Sequence, residues 1–207
     1  MRQLFLAIFF ISGFCAYSQE IQVKPGVYFS GGYRNILSPE TEHNFERRTS
    51  TGFFHIGPKM DIGNSDYRLS LNGYGTYAAK PKWIWEWFQK SDFKPRRGFG
   101  YGASAIIYIT PWEASGFTTT LQTRSRVRQT NTAKHGFSFG TGWENMRTFY
   151  KIPKDSEINN GRFSAYYGQV GYGIFSQLGS FDLNFRYGVG SQGARFWDVG
   201  LAFGILF

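Results

Sequence analysis

Residues 194–207 read Ala-Arg-Phe-Trp-Asp-Val-Gly-Leu-Ala-Phe-Gly-Ile-Leu-Phe. With a period of two, Trp197, Val199, Leu201, Phe203, Ile205 and Phe207 share one face, and Phe196, Asp198, Gly200, Ala202, Gly204 and Leu206 share the other. Successive side chains of a strand point to opposite faces. The stretch is therefore a strand with one greasy wall and one small or polar wall.

The same alternation recurs upstream. In residues 53–62, Phe54, Ile56, Pro58, Met60 and Ile62 stand against His55, Gly57, Lys59 and Asp61. In 181–190, Phe181, Leu183, Phe185, Tyr187 and Val189 stand against Asp182, Asn184 and Arg186. Further runs start at Gly26, Tyr67, Gly98, Phe117, Gly136 and Phe163. A charged row opposite an apolar row does not suit the core of a soluble sandwich. It suits a wall with lipid outside and a polar lumen inside. Most runs reach the roughly 9–11 residues a tilted transmembrane strand needs.

Composition agrees. Aromatic residues make up 20% of the chain and there are 26 glycines, both poor material for helices and both expected of a membrane barrel. Residues 1–18 read as a signal peptide, with Arg2, an apolar run from Leu4 to Phe14 and the small-x-small site Ala16-Tyr17-Ser18. The apolar run is too short for a spanning helix. The barrel domain is then 19–207. Cys15, the one cysteine, leaves with the peptide, so disulfides and thiolate metal sites are excluded from the mature chain. Loss of Arg2 takes the formal charge from +9 to +8, a balance that points to lipopolysaccharide phosphates or acidic glycans before nucleic acid.

Residues 36–49 and 147–161 are long polar loops by composition, 63–66 a tight turn, and Pro111-Trp112-Glu113-Ala114-Ser115 another turn. Trp83, Trp85 and Trp87 lie at period two, as an interfacial girdle requires; a ligand platform is the other reading. Nine strands are counted without this segment and ten with it. Ten is preferred, since single-chain bacterial barrels have an even number, and it places both long loops on one side. Eight results if the first strand splits off and the tryptophan segment is a loop.

The terminal strand, ending on Phe207, resembles the C-terminal assembly signal of bacterial outer-membrane barrels, with Phe203, Ile205 and Phe207 carrying the likeness and Ala202 standing where that signal usually has glycine. From 26 to 207 the chain resembles the small outer-membrane barrel class typified by OmpA, OmpX and OmpW. The resemblance implies an all-β, antiparallel up-and-down transmembrane β-barrel of eight to ten strands. It also implies residence in the outer membrane of a Gram-negative bacterium, contact with outer-membrane lipid and lipopolysaccharide, and insertion by the barrel assembly machinery. It transfers no catalytic residue.

Chemistry is sparse. His135, Ser138 and Glu144 have the residue types of a barrel hydrolase, but a spacing of three puts His135 and Ser138 on opposite faces. The deacylase His-x-Ser pattern is missing, since position 137 is Phe. His43 sits among Glu40, Glu42 and Glu46 as a solvated surface residue, and His55 faces the lumen. No Walker loop, zinc spacing or dinucleotide fingerprint is present, so no cofactor or metal is expected. Arg124, Arg126 and Arg128 share a strand face. They are read as a lumen ladder, plugged by acids such as Asp61, Glu144, Asp182 and Asp198 among the further lumen charges Lys59 and Arg186, or else as an anion-selective constriction. Three functions follow in order: a non-enzymatic structural or interaction barrel serving an envelope or secretion complex; a narrow porin for small solutes or anions; a lipid-modifying enzyme.

Overall fold

The computed structural model describes residues 21–38, 47–79, 94–122, 128–151, 160–176, 178–190 and 195–207. The signal-peptide segment, Trp83, Trp85, Trp87, Arg124 and Arg126 lie outside them. The described chain forms eight strands: β1 (Gln22–Ser38), β2 (Arg47–Gly63), β3 (Tyr67–Ala79), β4 (Lys94–Gln122), β5 (Arg128–Lys151), β6 (Asn160–Phe175), β7 (Gly179–Gly190) and β8 (Arg195–Leu206). Each pairs antiparallel with the next, and β8 closes on β1 through the register Gly26↔Leu206 to Leu37↔Arg195. Phe207 N donates to Pro25 O at 2.9 Å, extending the seam to the last residue. Closure leaves the barrel wall no free edge.

Eight strands form, rather than the preferred ten. The first strand belongs to the wall; of the ten, Phe117–Thr130 is no separate strand, and the tryptophan segment lies outside the described residues. Its two halves lie at the far end of the β4–β5 hairpin, with Thr118↔Thr132 through Gln122↔Arg128 paired. Pro111 to Ser115, expected to turn the chain, runs inside β4. Register shifts between Ile109 and Trp112 and between Glu113 and Thr118 accommodate it. A proline, having no N–H, is tolerated in a sheet at such a bulge.

Alternation sets which side each residue takes. Along β7 and β8 every second residue is buried, and the others (Leu183, Phe185, Val199, Leu201, Phe203) are 41–52% exposed. Apolar residues therefore face out and Asp182, Asn184, Arg186 and Asp198 face in, the inverse of a water-soluble protein. So large an apolar surface requires lipid. Aromatic residues gather near its two borders. Trp143, against Tyr101 and bonded through Nε1 to Ser164 Oγ at 2.9 Å, and Trp197, against Tyr33, mark one. Trp112, stacked on His135 and edge-on to Phe137, marks the other.

One end of the barrel carries residue 21, Phe207, the turn at 64–66 and the facing ends of β6 and β7. The turn is built by Asn64, whose Oδ1 accepts from the amides of Asp66 and Tyr67 at 2.9 and 2.8 Å. Gly63 precedes it at φ +146°, a conformation that side chains disfavour. At this same end the β4–β5 hairpin runs past the wall: β3 stops pairing with β4 at Ile109, and β6 stops pairing with β5 at Lys134.

Candidate functional site: a charged lumen closed by pairs across the barrel

The inward faces of an eight-stranded barrel leave room for little more than their own side chains. Two groups of charges fill the space here. In the first, Arg34 of β1 reaches Glu144 on β5, the opposite wall, by two hydrogen bonds: Nη1 to Oε1 at 2.7 Å and Nη2 to Oε2 at 2.9 Å. It also donates to Asp198 Oδ2 from Nη2 at 2.8 Å and from Nε at 3.0 Å. Asp198 Oδ1 accepts from Arg186 Nε at 2.7 Å. Two guanidinium groups and two carboxylates balance, and all four side chains are sealed from solvent. Bidentate geometry of this kind suits arginine and not lysine.

Aromatic rings hold this cluster in place. Arg34 lies over the rings of Phe53 and Phe196, with 5.0 and 4.6 Å to the centroids. Arg186 lies over Phe53 and Tyr167 at 4.7 and 5.4 Å. His55 stacks on Tyr74, and its Nδ1 is 3.3 Å from Arg186 Nη1. A guanidinium only donates, so Nδ1 accepts and the ring proton sits on Nε2, 3.8 Å from Glu144 Oε2. The hydroxyls of Tyr74 and Tyr167 meet across the lumen at 2.7 Å. Glycines make that meeting fit. A methyl group at Gly102 would fall 2.7 Å from the Tyr74 hydroxyl, and one at Gly142 would run into that of Tyr167.

The second group lies nearer the chain termini. Asp61 receives Lys59 and Arg68, each at 3.3 Å. Asp182 accepts from Ser138 Oγ at 3.2 Å and from Asn184 Nδ2 at 3.3 Å. Lys59 also reaches Ser180 Oγ at 3.4 Å and sits over the Tyr108 ring. In this layer Lys59 and Arg68 stand against Asp61 and Asp182, and Lys24, half-buried and opposite Asp61 in the β1–β2 register, adds a further cation beside them.

All six lumen charges expected from the sequence (Lys59, Asp61, Glu144, Asp182, Arg186 and Asp198) are buried inside the barrel. Their partners are not the expected arginine ladder. Arg128 pairs through its backbone with Gln122, near the far end of the hairpin and six residues beyond the last residue of β5 that contacts β6. At about 3.3 Å per residue that is roughly 20 Å of chain past the wall. Arg124 and Arg126 lie in the connecting segment, outside the described residues. The reason is topological: 118–122 and 128–132, expected in or beside one wall strand, pair with each other in the β4–β5 hairpin. Besides Lys59 and Arg186, the lumen among the described residues takes in Arg34 and Arg68. Arg68 is legible on the polar face of β3; Arg34 hides among the small residues of β1, though its even spacing from Tyr28 and Ser30 marks it as inward.

His135 and Ser138 lie on opposite sides of the wall. His135 stacks on Trp112 and contacts the Tyr172 hydroxyl outside, whereas Ser138 is buried on Asp182 inside. They cannot act as a catalytic pair. The terminal residues Phe203, Ile205 and Phe207 all face outward at 48–76% exposure.

No protein-family model and no curated protein sequence matches the chain. Among solved structures it is similar to Neisserial surface protein A (NspA), with 13% identity and a TM-score of 0.43, over 91% of this chain and 100% of that one. It is also similar to Ail, the attachment invasion locus protein of Yersinia pestis. In complex with the heparin analogue sucrose octasulfate, Ail gives 8% identity and a TM-score of 0.43 over 90% and 99% of the two chains. Without that ligand it gives 12% and 0.35 over 89% and 99%. The eight-stranded closure itself rests on the hydrogen-bonded register of this chain.

Proposed function

We propose that this protein is an outer-membrane barrel with a closed lumen, serving a structural or interaction role within the cell envelope and catalysing no reaction. One observation carries the reading: Arg34 crosses from β1 to Glu144 on the opposite wall, so the lumen axis is blocked by a sealed ion pair. A pore would need a wetted path, and removing either partner to make one would strand a buried charge. The apolar outer face and the signal-peptide pattern of residues 1–18 support the location.

A surface contact supports the lipid partner. At the end opposite the termini, Arg47 and Arg48 open β2, Lys94 and Arg96 open β4, and Lys151 closes β5. The three outermost residues of each strand at that end include no Asp or Glu. This basic border suits the phosphates of lipopolysaccharide in the outer leaflet.

Planar-bilayer recording tests the closed lumen. The purified protein is expected to give no steps above the bare-bilayer current. Sustained steps whose ion selectivity changes on substitution of Arg34 would replace this reading with the narrow pore.

A further inference from the structure

The β4–β5 hairpin does something the barrel does not need. Past Ile109 and Lys134 it belongs to no wall, and the strand segment Arg128–Ala133 has β4 on one side and, among the described residues, no strand on the other. Pro111 and both register shifts of the hairpin lie before Thr118, so the paired runs 118–122 and 128–132 are equally regular. They differ in charge, since of the two only the β5 run has a cation, Arg128. On β5 the run Arg128 to Thr132 keeps five consecutive pairs with Gln122 to Thr118, and its sequence Arg-Gln-Thr-Asn-Thr contains no proline or glycine. An unbroken edge of this kind is a template for one more strand.

Charge says which strand. From Thr110 to Lys134 the sequence contains Arg124, Arg126, Arg128 and Lys134 against one acid, Glu113, which pairs through the backbone with Lys134 at the base. Such a hairpin repels a second copy of itself, because like charges on paired strands are unfavourable. Lys134 is already paired with Asp66 at the base of the hairpin, and the other basic residues of its sequence are Arg124, Arg126 and Arg128. We propose that the outer edge of Arg128–Ala133 takes up an extended acidic polypeptide segment as an added strand. Backbone hydrogen bonds would supply the docking and the arginines the selectivity. This names the partner chemistry of the interaction role proposed above and rests on that reading. A membrane headgroup would use the charge but not the edge.

The test uses the full chain in detergent micelles and two probes of equal charge, a peptide of alternating Thr and Glu and one of alternating Pro and Glu. Proline cannot add to a ladder. The Thr-Glu peptide is expected to bind and to slow amide hydrogen exchange at 128–133 by about tenfold, leaving the wall unchanged. The Pro-Glu peptide is expected to leave those rates as they were. Arg128→Glu should weaken Thr-Glu binding by roughly fivefold, as loss of one favourable charge contact and gain of a repulsive one predict, whereas Arg128→Lys should retain it. Equal effects of the two peptides, or the same protection from phosphatidylglycerol vesicles without peptide, would overturn the proposal. Conductance by the barrel would defeat the closed-lumen reading and leave the exchange result untouched, so the two failures are distinguishable.

Discussion

Arg34 makes four hydrogen bonds to two carboxylates from different strands and stands between two aromatic rings. Each partner is needed by the others. Glu144→Ala leaves the Arg34 guanidinium sharing Asp198 with Arg186, in a place water does not reach. Loss of one member of a buried pair costs about 3–5 kcal/mol, and denaturant unfolding from lipid vesicles should show a destabilisation of that size. Gly142→Ala tests crowding rather than charge. The new methyl meets the Tyr167 hydroxyl and the backbone oxygen of Ala103, so the tyrosine ring and the adjoining β4 backbone must both give. An overpacked core loses about 1–3 kcal/mol, measurable in the same assay. At this scale the sequence reveals who enters the lumen but not who meets whom. Period-two alternation assigns Lys59, Asp61, Glu144, Asp182, Arg186 and Asp198 inward without any structure. That Glu144 faces Arg34 depends on strand number and on the stagger between strands, neither of which is carried locally.

Elements differ in how plainly their sequence declares them. β7 and β8 alternate without interruption and were readable from end to end. β4 is harder, because Pro111 and the polar residues after Trp112 carry the composition of a turn while the chain continues extended through two bulges. Local chemistry and long-range pairing disagree there, and pairing decides. The hairpin beyond Thr110 then becomes an appendage, fixed at its base where Thr110 donates from its amide to Asp66 O and from its hydroxyl to Ser65 O, each at 2.8 Å. Replacing residues 116–131 by an Asn-Gly turn, which favours tight hairpins, should leave the barrel folded. The expected result is retained heat-modifiable migration on a gel and β-sheet circular dichroism as in the parent. Loss of the folded band would mean that the hairpin is part of the wall.

For the whole molecule, the polarity of the two surfaces decides what solvent the fold requires. Its interior holds two layers of paired charge, and its exterior is aliphatic and aromatic along the middle of strands such as β2, β7 and β8. That inversion predicts a graded response to charge. Leu201 lies midway along β8 and is 42% exposed, whereas Ile205, with a similar exposure of 50%, sits near the end of the strand. An arginine on a lipid-facing wall costs about 2–4 kcal/mol at the bilayer midplane and about 0–1 kcal/mol near an interface. Leu201→Arg should therefore destabilise the barrel in lipid vesicles by several times as much as Ile205→Arg, as read from denaturant midpoints at constant slope. Exposure alone would rank the two sites together, and so would a surface facing water, where both substitutions fall within a few tenths of a kcal/mol. Depth in a hydrocarbon layer is the one factor that separates them. Equal midpoints for the two variants would remove lipid from the outer face and, with it, the membrane reading of the whole chain.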